Sequence, residues 1–402
     1  MKRMIALVLT LLLIGSAAEA ELRFACYGDA AEACALATTR YAKVYPKRKT
    51  KWTTVAYADR EAYAEAWRAD PAGFADVALL DAALLDELQG VSPLPCAELE
   101  QFAKQLKLDG FSFLALTTLT LNKQLIAVPV STSARLFYWN NSLRKRAGFE
   151  LPAQWDELAA IGAKMQAYND GYCVAADATA RMALLVGRLQ SKHGRDWLTA
   201  QNQCAYTAAE LAEGLEWLRQ LERERVLAPL AVQGDDALAA WSTGRYACVC
   251  LWNADQPAVA QALPDGDTLK YTALPAGLPF DGNMQRVDCA LTLSAACADP
   301  TAAARFMNYL LNEESGQRAL AGALGVPASA SGLSTATGFR LLDPDLIAAT
   351  RTALAVGRYV QPLSFERPAL VSGAYRTALL STAPAADVAQ ALLDAVNAEL
   401  TR

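Results

Sequence analysis

After its first twenty residues, the chain alternates short runs of β-forming residues with helix-forming runs. In the first part of the chain, predicted strands and helices follow one another at 22–27, 30–44, 52–57, 61–67 and 76–80. This βαβαβ order is typical of α/β layers built around a largely parallel sheet. Helical and apolar extended runs continue to alternate through to an amphipathic helix predicted at 386–400.

Length and charge restrict the domain number and the class of partner. A single hydrophobic core stops growing at roughly 250–300 residues, so a chain of 402 residues predicts two domains. The formal net charge of −5 argues against nucleic acid or an anionic membrane as a partner. The chain has a single histidine, His193, which lies in a polar helix-end setting. Because there is no other histidine, the sequence excludes His-rich metal sites and catalytic sites in which a histidine activates a nucleophile. We expect no metal and no cofactor.

The N-terminus has the pattern of a secretory signal peptide. A basic start, Met1-Lys2-Arg3, precedes the apolar segment 4–14, and Ala18-Glu19-Ala20 forms a small-residue cleavage site. We therefore expect residues 1–20 to be removed and the mature chain to be periplasmic or secreted. No cysteine follows the cleavage site, so a lipid anchor is not predicted.

Disulfides are chemically possible in that compartment. The nine cysteines all lie after the signal segment, and their odd number leaves at least one thiol unpaired in a monomer. Cys248, Cys250 and Cys289 are interpreted as small buried residues of strands. The candidate disulfides are Cys26 with Cys34 and Cys173 with Cys204.

Candidate binding residues stand where predicted strands begin or end, because ligands of open α/β sheets bind at the carboxyl ends of strands. Aromatic rings there could stack on a sugar or a heteroaromatic cation. Buried-strand carboxylates could bind a cation or sugar hydroxyls, although Asp81 could equally cap the following helix. Arg135 could bind an anion or form a salt bridge between domains. The candidates are Tyr27, Gly28, Tyr57, Asp81, Trp139, Asp177, Trp252 and Asp288.

Three segments resemble the extracellular solute-binding proteins of ABC importers: 126–140, 147–158, and 306–310 with 325–328. The resemblance implies the two-lobed type II periplasmic-binding fold. Each lobe would be a mixed sheet flanked by helices, and crossing segments would form a hinge between the lobes. The expected lobe boundaries are 21–134 plus 280–335 and 135–279 plus 336–402.

The same resemblance implies a function without catalysis. A monomer would close its lobes on a small polar ligand, sugar-like or thiamine-like, and deliver it to an ABC permease in the inner membrane.

Four segments carry a narrower resemblance: 22–27, 74–85 with Asp81, 111–115 and 127–138. They resemble thiamine pyridinylases, secreted enzymes with the same fold. Ser133 stands where that family has its nucleophilic cysteine, and no glutamate occurs in 251–255, where the family has its general base. A serine without an activating base is a poor nucleophile. Tyr27 and Asp288 match the family's binding positions. Ser133 is therefore counted among the ligand-binding candidates, and a thiamine-cleaving transferase that uses Ser133 remains the alternative function.

Overall fold

The computed structural model describes residues 21–48, 50–88, 91–199, 203–275, 284–356, 358–359, 367 and 369–400. The predicted signal peptide, residues 1–20, lies outside this range. Among the described residues, no helix combines the length and apolarity that a membrane span needs.

Eleven strands occur in the described residues: β1 (Glu21–Tyr27), β2 (Lys51–Tyr57), β3 (Val77–Asp81), β4 (Thr120–Leu121), β5 (Gln124–Leu125), β6 (Ala127–Asn140), β7 (Tyr172–Ala175), β8 (Tyr246–Trp252), β9 (Leu269–Ala273), β10 (Met284–Leu293) and β11 (Arg358–Tyr359). The N-terminal α-helices are α1 (Ala31–Val44), α2 (Arg60–Ala69), α3 (Ala82–Glu87), α4 (Ala103–Leu106) and α5 (Phe113–Thr118). The middle of the chain contains α6 (Asn141–Ala147), α7 (Glu157–Asn169), α8 (Ala178–His193), α9 (Ala208–Arg223), α10 (Leu230–Gln233), α11 (Ala237–Ala240) and α12 (Gln256–Ala262). The C-terminal helices are α13 (Pro300–Asn312), α14 (Glu314–Leu320), α15 (Ala330–Gly338), α16 (Pro344–Val356), α17 (Arg376–Leu380) and α18 (Ala385–Leu400).

The main sheet is mixed rather than largely parallel. Its strand order is β2-β1-β3-β10-β6-β8-β7, with β11 beside β10 and β9 beside β6. The outer pairs are parallel, as the βαβ pattern predicts, whereas β10 is antiparallel to both β3 and β6. Strand β6 is also antiparallel to β8 and β9.

Strand β6 crosses the middle of the molecule. It is one strand of 14 residues, buried along its whole length. Its first half, to Ala134, pairs with β10, and its second half, from Arg135, pairs with β8 and β9. The polar residues Ser131, Thr132 and Ser133 stay in the ladder, where their backbone groups are paired.

The apolar core divides into three clusters along the chain. The first contains buried residues from 22–130 and 287–320, and the other two contain residues from 134–284 and 346–400. Strand β6 contributes to all three, with Val128 in the first, Phe137 in the second and Leu136 in the third.

Helix ends follow the predicted capping signals. The Thr207 side chain accepts a hydrogen bond from the Glu210 N–H, and the Glu210 carboxylate accepts one from the Thr207 N–H, which completes a capping box on α9. Asp299 caps α13, whose first residue is Pro300. His193 ends α8, with its Nδ1 3.5 Å from a Glu210 carboxylate oxygen.

The nine cysteines are thiols in the structure. The expected pairing of Cys173 with Cys204 is wrong, because the side-chain partner of Cys173 is Cys248. The Cys204 Sγ instead lies 3.7 Å from the carbonyl oxygen of Tyr206. Cys26 and Cys34 are fully buried, and their thiols hydrogen-bond to each other.

Candidate functional site

A cavity of about 530 Å³ lies between elements of the first core cluster and the turn that follows β8. Tyr27, Gly28 and Asp29, at the end of β1, form part of one wall, and Asn253 and Gln256 form part of the opposite wall. Ser131, Asp288 and Cys289 complete its polar lining. Two of the residues predicted from the strand-end rule, Tyr27 and Gly28, therefore line this cavity.

A β-bulge in β10 explains why two successive residues line this cavity. Val287 lies opposite Thr132 and Cys289 lies opposite Ser131, so Asp288 is locally an extra residue of β10. A second shift follows at once, because Ala290 lies opposite Pro129 and Val130 is then the extra residue of β6. In a regular strand, neighbours such as Asp288 and Cys289 would point to opposite faces, but a bulge redirects one of them.

The carboxylate of Asp288 accepts hydrogen bonds from two side chains. Its Oδ1 accepts a hydrogen bond from Arg286 Nε at 2.9 Å, and its Oδ2 accepts one from the Ser133 hydroxyl. Ser133 itself is fully buried and is absent from the described lining of the cavity. The Ser133 hydroxyl therefore orients the Asp288 carboxylate and does not line the cavity.

Ser131, two residues before Ser133, is the serine that reaches the cavity. Its Oγ lies 3.2 Å from Cys289 Sγ. Burial raises the pKa of the Cys289 thiol to about 12, so this thiol is protonated at neutral pH and is a weak nucleophile.

Tyr27 and Asp81 meet at the ends of β1 and β3. The Tyr27 hydroxyl donates to Asp81 Oδ2 at 3.2 Å, and Asp81 Oδ1 accepts a hydrogen bond from the Leu84 N–H at 2.9 Å. Arg60 also forms a salt bridge to Asp81. The capping interpretation of Asp81 is therefore correct. Burial, together with the negative charge of Asp81, raises the pKa of Tyr27.

Gly28 turns the chain from β1 into the short 3-10 turn Gly28–Ala30. Its φ of +62° is in the left-handed region, which glycine adopts at little cost.

A second cavity, of about 600 Å³, is rich in carboxylates. Asp177, Asp235, Asp236 and Asp255 line it together with Arg135 and Trp252. Asp177 Oδ1 also caps α8 by accepting a hydrogen bond from the Ala180 N–H at 2.7 Å. A smaller neighbouring cavity of about 410 Å³ shares Asp177 and Asp235.

Trp252 lines the second cavity, and the next residue in the chain, Asn253, lines the first. The guanidinium carbons of Arg135 and Arg286 lie 4.6 and 4.2 Å from the centroids of its rings, a geometry of cation–π contacts. Its backbone N–H donates to Asp255 Oδ2 at 3.0 Å. Burial raises the pKa of Asp255, and the nearby Arg286 charge opposes that shift.

In the described residues, no group of three His, Cys, Asp or Glu side chains is arranged to hold a metal ion.

Residues 47–338 match the sequence profile of a family described as bacterial extracellular solute-binding protein. The chain belongs to this family. A search of curated proteins found no match.

Solved structures share the fold of this solute-binding protein at low sequence identity. A de novo designed cysteine esterase matches with a TM-score of 0.85 and 20% identity, covering 96% of this chain and 99% of that chain. A periplasmic solute binding protein from Pectobacterium atrosepticum and a periplasmic oligogalacturonide binding protein from Yersinia enterocolitica each match with a TM-score of 0.81, 22% identity, and coverage of 95% and 99%. The predicted two-lobed fold is confirmed.

Two predicted site residues of the solute-binding protein, Trp139 and Tyr57, do not line any of the three cavities described above. Trp139 is fully buried in the second core cluster, where its indole N–H donates to Thr272. The Tyr57 ring packs on Phe74, with centroids 5.4 Å apart. The expected exposure of Trp139 at a strand end is wrong, because its side chain points to the helix-covered face of the sheet.

Sequence reasoning missed Asn253, Gln256, Arg286 and Cys289 as parts of the site of this solute-binding protein. Asn253 and Gln256 follow β8 directly, so the strand-end rule could have found them. Cys289 reaches the cavity beside the bulge, which no sequence signal predicts.

Proposed function

We propose that this solute-binding protein binds a small polar solute in the cleft beside Asp288 and delivers it to the permease of an ABC importer. The observation that carries the proposal is the cavity of about 530 Å³, whose walls come from β1 and β10 on one side and from the turn after β8 on the other. Small-molecule sites in proteins typically have volumes of about 300–1,000 Å³.

Lobe closure is part of this proposal. We place the lobes at 21–134 plus 280–335 and at 135–279 plus 336–402, which the division of the core clusters supports. The turn after β8 lies in the second of these lobes, whereas Tyr27 and Asp288 lie in the first. A ligand that touches both walls would favour the closed arrangement, because it binds that arrangement more tightly.

The charge of the cavity supports a neutral or cationic ligand, sugar-like or thiamine-like. Among the described residues that line it, Asp29 and Asp288 are acidic and none is Lys, Arg or His. The Yersinia protein has been solved in complex with saturated digalacturonic acid, an acidic sugar. A dianion of that kind would be repelled by the two aspartates of this cavity.

The same proposal includes location and assembly. The family membership and the signal-like N-terminus support a periplasmic or secreted protein. We propose that it acts as a monomer.

A thermal-shift screen tests the ligand class. We expect maltose or thiamine to raise the melting temperature and digalacturonic acid to leave it unchanged. A ligand at 100 times its dissociation constant adds about 2.7 kcal/mol to stability. The response should be weakened in Asp288→Asn and retained in Asp109→Asn, an exposed control. Stabilisation by digalacturonic acid alone would contradict the proposed ligand class.

The alternative function is a thiamine-cleaving transferase. The contact that favours it is the hydrogen bond from Ser133 to Asp288, while the full burial of Ser133 argues against it. We expect thiamine to be recovered unaltered after incubation with the protein and aniline. Release of a thiazole product would establish the alternative.

A further inference from the structure

Two cysteines stand at the two ends of the segment that forms the β1 wall of the first cavity. Cys26 is the penultimate residue of β1, and Cys34 lies in the first turn of α1. Between them lie Tyr27, Gly28 and Asp29, which line the cavity. A covalent bond between the two cysteines would therefore also fix both ends of this ligand-facing segment.

The two thiols are direct neighbours. Both side chains are fully buried in the first core cluster, and they hydrogen-bond to each other. That hydrogen bond lowers the pKa of the Cys26 thiol. Helix α1 packs on β1 and β2, so the packing of the fold itself holds the pair together.

We propose that Cys26 and Cys34 form a disulfide in the exported protein, and that this disulfide anchors the 27–33 segment of the cavity wall. An extracellular family works in a compartment where disulfides form and persist.

Cys289, the third cysteine near this pair, is a poor partner for Cys26. Strand β3 lies between β1 and β10 in the sheet. With strands about 4.8 Å apart, the Cα atoms of Cys26 and Cys289 are separated by at least roughly 9–10 Å. Disulfides need Cα atoms within about 7 Å of each other.

The oxidation is a two-step exchange that occurs before the pair is buried during folding. The Cys26 thiolate attacks the disulfide of an exported thiol–disulfide oxidoreductase, forms a mixed disulfide and releases one thiol of that enzyme. The Cys34 thiolate then attacks the Cys26 sulfur and releases the second thiol. Two electrons pass to the oxidoreductase, whose two released thiolates take up the two protons lost from Cys26 and Cys34.

Tryptic digestion gives a direct test, because the peptide 24–40 contains both cysteines and no other. Cells exporting the full chain are treated with iodoacetamide before lysis, and the denatured protein is alkylated again and digested without reductant. We expect peptide 24–40 unalkylated and lighter than its dithiol form by two hydrogen atoms. Recovery of that peptide with both cysteines alkylated would overturn the proposal.

Thermal unfolding supplies a second test. Closing so short a loop should make reduction by a phosphine lower the melting temperature by about 5 °C. The double variant Cys26→Ala/Cys34→Ala should show no shift with the phosphine, and an equal shift in both proteins would count against the disulfide. If the double variant does not fold, the mass of peptide 24–40 from the unmodified chain still shows whether the disulfide is present.

Discussion

At the scale of single residues, Asp255 is a half-buried carboxylate in the turn Asn253–Asp255, which follows β8. Because burial raises its pKa above the usual value of 3.8, the folded state binds more protons than the unfolded state between the two values. The stability contributed by this residue should therefore fall as the pH rises through that interval.

Urea unfolding of the wild type and of Asp255→Asn, from below pH 3.8 upwards, measures this effect. We expect the wild type to lose stability relative to the variant as the pH increases, since the amide cannot ionise. The exposed substitution Asp109→Asn should show no such trend. A wild type that gains stability relative to Asp255→Asn over this range would contradict the direction of the shift.

The predicted site residues that line a cavity in the structure are those whose position depends on chain order alone. Tyr27 lies in the cavity because it ends a strand, and Asp177 reaches the second cavity for the same reason. Ser133 and Trp139 were placed wrongly because the direction of a side chain depends on strand register. A local register shift such as the one at Asp288 leaves no pattern in the amino-acid sequence.

At the scale of elements, the start of a helix can be visible in local sequence. The sequence Thr207-Ala208-Ala209-Glu210 has the capping-box pattern, and the structure has this box on α9. In contrast, the polar residues Ser131, Thr132 and Ser133 carry no local signal of a buried strand, yet they lie within β6. Capping depends on residues three positions apart, whereas β6 is held by pairing with β10, which is more than 140 residues away in the chain. Such distant pairing is not visible in local sequence.

Loss of the Thr207 cap should destabilise the protein moderately. We expect Thr207→Ala to lower the free energy of unfolding by about 1 kcal/mol, because an N–H at the start of α9 loses its acceptor. The control Thr352→Ala removes an exposed threonine hydroxyl within α16, which bonds the Ala348 carbonyl, and should change stability by less than about 0.5 kcal/mol. Equal losses in the two variants would mean that the capping box contributes nothing specific.

At the scale of the whole molecule, β6 joins the three core clusters into one cooperative unit. Phe24 in the first cluster and Phe137 in the second are both fully buried. We expect Phe24→Ala and Phe137→Ala each to lower stability by about 3–5 kcal/mol. Each should retain a single urea transition that coincides by fluorescence and by circular dichroism. Two separate transitions in either variant would show that the clusters unfold independently.

The bulge at Asp288 also affects how readily this scaffold can acquire a new specificity. The pairing of β10 with β6 is irregular on both sides of Cys289, first at Asp288 and then at Val130, and it continues with Ala290 opposite Pro129. A substitution such as Asp288→Asn would keep this ladder unchanged while the wall of the cavity lost one negative charge. A single codon change at this position can therefore change the electrostatic preference of the protein without changing the strand pairing.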